Sequence, residues 1–274
     1  MSKILRWRWT PWAALALAAA FPFLAATLDA QYLVRVGGVI GLFMLLGLGL
    51  NFTLGYAGLF DLGFIAFYAI GAYTTAIAMR AGVPAPFALV LAVLVSLALR
   101  ALLGLTILRL RGDYLAVVTM GFGEIARLTI NNLDALTNGP KGLQLSSWRP
   151  LSVLSSDPNI QYYLLILTAV ALSVIASNRL EDSRVGRAWV AIREDEIAAN
   201  LTGIAVARLK LLAFTVSAAF AGLAGVIFAY WESFVSPESF VFQESIVVVS
   251  VVVLGGMGSV YGVVLGALIL IGMP

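Results

Sequence analysis

A hydrocarbon layer about 30 Å thick is crossed by roughly 20 apolar residues in a helix, and this chain offers about eight runs of that kind separated by short polar breaks. They fall at approximately Ala13 to Leu28, Leu33 to Leu54, Leu59 to Met79, Phe87 to Leu108, Tyr114 to Asn131, Tyr162 to Ser177, Leu209 to Trp231 and Glu244 to Ile271. In lipid every backbone amide must be paired within the protein, so such runs fold as helices packed into a bundle. The predicted fold is all-α: a polytopic transmembrane helix bundle of about eight segments, forming a single domain over 1–274. Little is left for a soluble domain, since 61% of the 274 residues are hydrophobic and 11% are charged. With no Cys and no His, the chain cannot form disulfides, thiolate or imidazole metal sites, or a Cys nucleophile, and it lacks the commonest general base. No catalytic residue, metal site or cofactor bound by this chain is predicted.

The amino terminus carries Lys3, Arg6 and Arg8 among Trp7, Trp9 and Trp12. A basic start and an Ala-rich core are the ingredients of a signal peptide. The Trp cluster reads instead as an interfacial belt, which favours a retained first span. With a cytoplasmic amino terminus and every run crossing, 12 of the 17 basic residues are cytoplasmic: Lys3, Arg6, Arg8, Arg100, Arg109, Arg111, Arg179, Arg184, Arg187, Arg193, Arg208 and Lys210. Arg35, Arg80, Arg127, Lys141 and Arg149 fall on the other side, so the excess of positive charge supports this orientation. Topology thus accounts for the net charge of +3, and nucleic acid is not implied as a partner. Two connections exceed what a helical hairpin needs. The loop over 133–160, with Asn138-Gly139-Pro140-Lys141-Gly142 and Ser155-Ser156-Asp157-Pro158-Asn159, faces outside, and the charge-dense loop over 178–208 is cytoplasmic.

Three features stand out as candidates for function. In the fifth run Glu124, Arg127 and Asn131 recur at i, i+3 and i+7 and make one polar stripe on a helix. An ionisable group at the bilayer centre costs about 2.5–3.5 kcal/mol, so the stripe faces protein or water. It is either an ion pair that fastens helices or the lining of a polar pathway. Glycines cluster at Gly55-Tyr56-Ala57-Gly58, Gly63, Gly71, Gly222-Leu223-Ala224-Gly225 and Gly255-Gly256-Met257-Gly258-Ser259. Small residues let membrane helices approach closely. The run Gly255 to Ser259 also interrupts a Val-rich stretch and predicts a broken helix. No glycine run is followed by Lys-Ser or Lys-Thr, so none is a phosphate loop. In the 178–208 loop Val185, Trp189, Ile192, Glu196 and Ala199 share a narrow helical stripe that Gly203 ends. Such an element lies on the membrane surface or offers an exposed apolar seam to a cytoplasmic partner.

The order Gly55-Tyr-Ala-Gly58, Gly63-Phe-Ile-Ala-Phe-Tyr-Ala-Ile-Gly-Ala-Tyr73, Arg111-Gly-Asp-Tyr-Leu115, Gly123-Glu-Ile-Ala-Arg127, Asn138-Gly-Pro-Lys-Gly142, Gly186-Arg-Ala-Trp189, Arg193-Glu-Asp-Glu-Ile-Ala198, Ser236-Pro-Glu-Ser-Phe240 and Leu254-Gly-Gly-Met-Gly-Ser259 resembles the LivM-type permease of branched-chain amino-acid ABC transporters, over roughly 35–270. The resemblance implies a multi-pass protein of the bacterial inner membrane. Its implied partners are a homologous second permease, two cytoplasmic ATP-binding subunits that use the ATP, and a periplasmic solute-binding protein delivering leucine, isoleucine or valine, with membrane lipid around the bundle. It also implies that Gly186 to Gly203 is the ATPase-coupling region, in which Trp189, Ile192, Glu196, Ala198, Ala199 and Gly203 are the residues to watch. Here the sequence departs from the usual coupling pattern: Ile197 stands where a Glu is expected, with Glu196 one position earlier. The chain also stops at Gly272-Met273-Pro274 directly after an apolar run, where the family usually continues, so it is expected to be incomplete at its carboxyl end.

On this reading the chain moves its solute by alternating access, and the path runs by Glu124, Arg127, Asn131, Gly55, Gly58, Gly255, Gly256 and Gly258. Two other classes compete. A gradient-driven secondary transporter would also use intramembrane charge and broken helices but would need no docking loop. A membrane enzyme would call for an acid–base pair at depth, whereas Glu124 stands alone and Asp61 and Glu244 lie nearer the ends of their runs.

Overall fold

A computed structural model describes residues 10–27, 31–107, 110, 112–146, 148 and 157–273. The basic residues Lys3, Arg6 and Arg8, Trp7 and Trp9, Arg109, Arg111 and Arg149, and the Ser155-Ser156 turn lie outside the described residues. The helices are α1 (Thr10–Thr27), α2 (Gln31–Asn51), α3 (Phe64–Arg80), α4 (Ala85–Ile107), α5 (Asp113–Asn132), α6 (Asp134–Thr137), α7 (Pro158–Glu181), α8 (Arg184–Glu194), α9 (Glu196–Leu201), α10 (Val206–Glu232), α11 (Phe242–Gly255) and α12 (Val260–Gly272). Among the described residues the apolar runs are mainly helical, with non-helical stretches at 59–63 and 256–259. Five helical segments are long and apolar enough to cross a membrane: Gln31–Tyr56, Ala85–Ile107, Pro158–Glu181, Val206–Glu232 and Pro237–Gly255. Phe64–Arg80 and Val260–Gly272 are shorter apolar helices, and α5 carries the charges of the polar stripe.

α10 is the centre of the bundle and packs on α3, α4 and α2. Glycine makes this close approach possible. A Cβ on Gly71 would stand 2.5 Å from the carbonyl oxygen of Gly222, and one on Gly222 would stand 2.7 Å from Ser96 Oγ of α4. The Gly71 and Gly222–Gly225 clusters are therefore packing devices. α2 lies against α7 in the same way, with Gly37 and Gly41 under Tyr163 and Ile166.

Two apolar runs are interrupted more sharply than a simple kink. α2 continues as a single π turn over Phe52–Tyr56, and the chain is then non-helical until Phe64, with Gly58 at φ +67°. The run from Glu244 to Ile271 breaks where its glycines predicted. Gly256 at φ +96° and Gly258 at φ +86° reverse the chain, so one apolar run becomes the two packed helices α11 and α12. These φ values suit glycine because an L side chain would clash with the backbone there.

The polar connections are ordered where they are described. Leu143–Gln144 pairs antiparallel with Phe234–Val235, and the Leu145 amide donates to the Ser233 carbonyl at 2.9 Å. Trp148 lies on the Tyr230 ring at 5.0 Å, which sets that residue against one end of α10.

Arg100 is not a flanking cytoplasmic charge. It is 1% exposed inside the bundle, ion-paired to Asp61, also 1% exposed, with its guanidinium carbon 4.6 Å from the Phe67 ring and 4.4 Å from the Phe214 ring. A long basic side chain two turns from a helix end enters the interior when a carboxylate from another segment neutralises it. Arg127 is likewise taken by Glu124 on its own helix. Without these two, the flanking basic residues divide eleven to four, which still favours the orientation read from the sequence.

Removing one member of a buried ion pair leaves an uncompensated charge at a cost of about 3–5 kcal/mol. Asp61→Asn is therefore expected to lower the melting temperature in detergent sharply, while Asp61→Asn combined with Arg100→Met recovers much of the loss. A thermal shift assay on purified protein checks both, and an unchanged melting temperature for Asp61→Asn would refute the role given to the pair.

Candidate functional site

The loop that follows α7 is built by two side-chain caps. Ser183 Oγ accepts from the amides of Val185 and Gly186, both at 3.1 Å, and starts α8. Asp195 adopts an extended conformation and its Oδ1 accepts from Ile197 N at 2.8 Å and Ala198 N at 3.0 Å. That cap stops α8 and starts α9, so the expected single amphipathic element is two short helices. Gly203, at φ +87°, ends α9 as predicted, and the Ile204 amide closes on the Ala199 carbonyl at 3.1 Å.

The expected partner-facing seam points inward. Trp189 is fully buried, donates from Nε1 to the Leu209 carbonyl at 2.8 Å, and meets the Phe52 ring edge-on at 5.9 Å. Ile192 and Ala199 are buried beside it, each 4% exposed. Glu196 pairs with Lys210 Nζ at 2.7 Å, and the Lys210 side chain is itself nearly buried. The reason is local: an apolar stripe next to a membrane bundle is covered first by the bundle of its own chain, here the π turn and α10. The surface left open carries Val190, Ala198, Ile197 (62% exposed) and Leu201 (83% exposed). Ile197 and Leu201 stand at i and i+4, a signal that the narrow Trp189 stripe drew attention away from.

Beneath α8 the two glycine breaks meet. Asn51, at the end of α2, accepts through Oδ1 from the Gly258 amide at 2.9 Å. A Cβ on Gly55 would lie 2.5 Å from the same Gly258 nitrogen. Arg193 of α8 donates from Nη1 to the Gly55 carbonyl at 2.6 Å, and Tyr56 donates to Glu181 Oε2 at 3.0 Å. Gly55, Gly58 and Gly258 thus share one site with the loop. Gly255 instead packs on Gly262, and Gly256 faces open space. Sequence reasoning passed over Asn51 and took Arg193 only as a flanking charge and a motif residue. An Asn inside an apolar run was the readable sign of the first, and only the fold could show that the second reaches a helix break.

The polar stripe lies elsewhere, on α5. Arg127 Nε stands 3.2 and 3.1 Å from the two Glu124 carboxylate oxygens, and Nη2 bonds Oε1 as well. The pair closes within one helix and so does not fasten two helices together. Its side chains stay 25% exposed at Arg127 and 44% at Glu124, and Asn131 is half-buried on the same helix. Glu124 borders a cavity of about 120 Å³ with Leu62, Ile65, Met120, Phe240 and Ser245. The candidate path residues therefore form two groups, a stripe on α5 and a cluster of breaks under α8.

Residues 32–273 match the family described as the branched-chain amino acid transport system permease component. The chain belongs to this family. It is 44% identical over 94% of its length to the high-affinity branched-chain amino acid transport system permease protein LivM of Salmonella typhimurium, and equally to that of Escherichia coli. It spans 66% of the length of each of these relatives. It is also 31% identical over 52% of its length to the permease protein LivH of Salmonella typhimurium, covering 48% of that chain. No solved structure matches it. The family is a transporter component and not an enzyme family.

Truncating a large buried aromatic side chain costs about 3–5 kcal/mol. Trp189→Ala is therefore expected to undock α8 and α9, seen as faster amide hydrogen exchange across 184–203 with exchange in α3 and α10 unchanged. Equal exchange in the two proteins would show that Trp189 does not hold the loop.

Proposed function

We propose that the chain is a transmembrane permease subunit of an ATP-driven importer for leucine, isoleucine and valine in the bacterial inner membrane. It forms the translocation path with a homologous second permease by alternating access. ATP is used by two cytoplasmic ATP-binding subunits, and a periplasmic solute-binding protein delivers the amino acid. The observation that carries the reading is the family match over 32–273 together with relatives named as high-affinity branched-chain amino acid permeases. The second permease is supported by the partial likeness to LivH, whose name assigns it to the same transport system.

The geometry supports the following parts of this reading. The segment 178–208 is the coupling loop. Its inner face is fixed by Trp189, Ile192 and Ala199, and Glu196 is held by Lys210. Its outer face, with Ile197, Ala198 and Leu201, is the surface for the ATP-binding subunit, since exposed aliphatic side chains beside mixed charges fit a groove on a soluble protein. The 133–160 loop faces the periplasm. The α5 face carries the path. Glu124 sits near the middle of a 20-residue helix and is 44% exposed, an arrangement that hydrocarbon penalises and that a water-lined path or a polar partner helix satisfies.

The test is to co-express the tagged chain with its neighbouring transport genes, purify the assembly in mild detergent, and measure leucine uptake into proteoliposomes. Co-purification of two ATP-binding subunits and uptake that needs ATP are expected, and uptake driven by a proton or sodium gradient without ATP would overturn the proposal. Leu201→Asp should strip the ATP-binding subunits from the complex while leaving the chain folded. Glu124→Gln should lower the uptake rate at normal expression, and a wild-type rate would remove Glu124 from the path.

A further inference from the structure

We infer that Arg193 is the positioning residue through which the coupling loop grips both helix breaks, so that displacement of α8 and α9 moves the Gly55–Gly58 and Gly256–Gly258 turns as one unit. The inference rests on the proposed role of that loop.

Arg193 stands in the last turn of α8, and its side chain runs through a slot that two glycines keep open. A Cβ on Gly58 would lie 2.6 Å from Arg193 Cγ, and one on Gly258 would lie 3.2 Å from Arg193 Nη1. A side chain at Gly58 would displace the arginine, and one at Gly258 would press against its guanidinium. The guanidinium ends on the Gly55 carbonyl, at 2.6 Å, next to the place where the π turn stops at Tyr56 and regular helix can no longer supply an amide. A second link joins the breaks to each other, since Asn51 takes the Gly258 amide at 2.9 Å. Pulling on Arg193 therefore strains the first turn directly and the second through Asn51.

The chemistry of the contact suits movement. Arg100 is locked by a buried carboxylate, whereas the acceptor for Arg193 in the slot is a neutral carbonyl. Its second terminal nitrogen, Nη2, reaches Glu194 Oε1 at 3.4 Å near the surface, and the side chain is 35% exposed. One charged hydrogen bond at a half-open site can be broken and remade during a cycle, which a buried ion pair cannot do at comparable cost.

The experiment uses the assembled importer in proteoliposomes and reads leucine moved per ATP hydrolysed. For Arg193→Ala, assembly and ATP hydrolysis are expected to remain within about twofold of wild type while the transport ratio falls about tenfold, the scale of one lost charged hydrogen bond. Arg193→Lys, which keeps the charge and one donor, should recover part of the ratio. A second measurement follows the turn itself. The natural chain has no Cys, and Met257 is 53% exposed, so Met257→Cys accepts a single environment-sensitive fluorophore. Its signal should change on ATP addition in the otherwise wild-type complex and stay flat with Arg193→Ala. A wild-type transport ratio with Arg193→Ala, or an unchanged fluorophore response, overturns the inference, as does a variant whose only defect is assembly. If the wild-type complex moves no leucine with ATP, the functional reading itself fails and takes this role with it.

Discussion

The guanidinium of Arg100 lies between the rings of Phe67 and Phe214, neutralised by Asp61, with both ends of the pair out of contact with solvent. Much of the bundle is arranged around that requirement. Asp61 belongs to the non-helical segment between the π turn and α3, so the ion pair ties an irregular stretch of backbone to α4. The same carboxylate accepts from the Gly63 amide at 3.2 Å, and Thr119 of α5 accepts from the Leu62 amide at 3.1 Å. Backbone that is not helical survives at membrane depth only where protein supplies its hydrogen bonds. Here Thr119 of α5, Asp61 itself and the first turn of α3 supply them, while α4 and α10 enclose the ion pair.

Once the first break is fixed, the second and the α8–α9 loop have a surface to meet. The Gly256–Gly258 turn reaches Asn51, and α8 lays Trp189 over Phe52 and sends Arg193 to Gly55. The two breaks and the loop are far apart in sequence yet form one junction. In the proposed function, a force applied to the outer face of α9 would have a short route through these contacts to both breaks.

In the proposed function the polar stripe on α5 and the junction under α8 divide the labour. Glu124 and Arg127 satisfy each other and remain partly exposed at the middle of α5, where the proposed path would meet them. The junction is buried at Asn51 and Gly55 and open at Gly58 and Gly256, and it is held by close glycine contacts and by hydrogen bonds to backbone. A path needs exposure, whereas a hinge needs close packing with a few replaceable bonds.

The all-helical bundle, the two breaks, the Gly203 stop and the family were legible in the sequence, because apolar length, glycine spacing and motif order are local properties that any fold of this chain must respect. The inward turn of Trp189 was not legible, since a stripe on a helix fixes which residues share a face and not what covers that face. Nor was the fate of Arg100, which read as one of many flanking charges until Asp61, from another segment, was brought against it. The joining of Asn51, Arg193 and three glycines had the same character. By itself the sequence determined where helices form and where they must break. Tertiary structure alone decided which break meets which side chain, because those contacts depend on the packing of α2, α8, α10 and the α11–α12 pair and on no local preference.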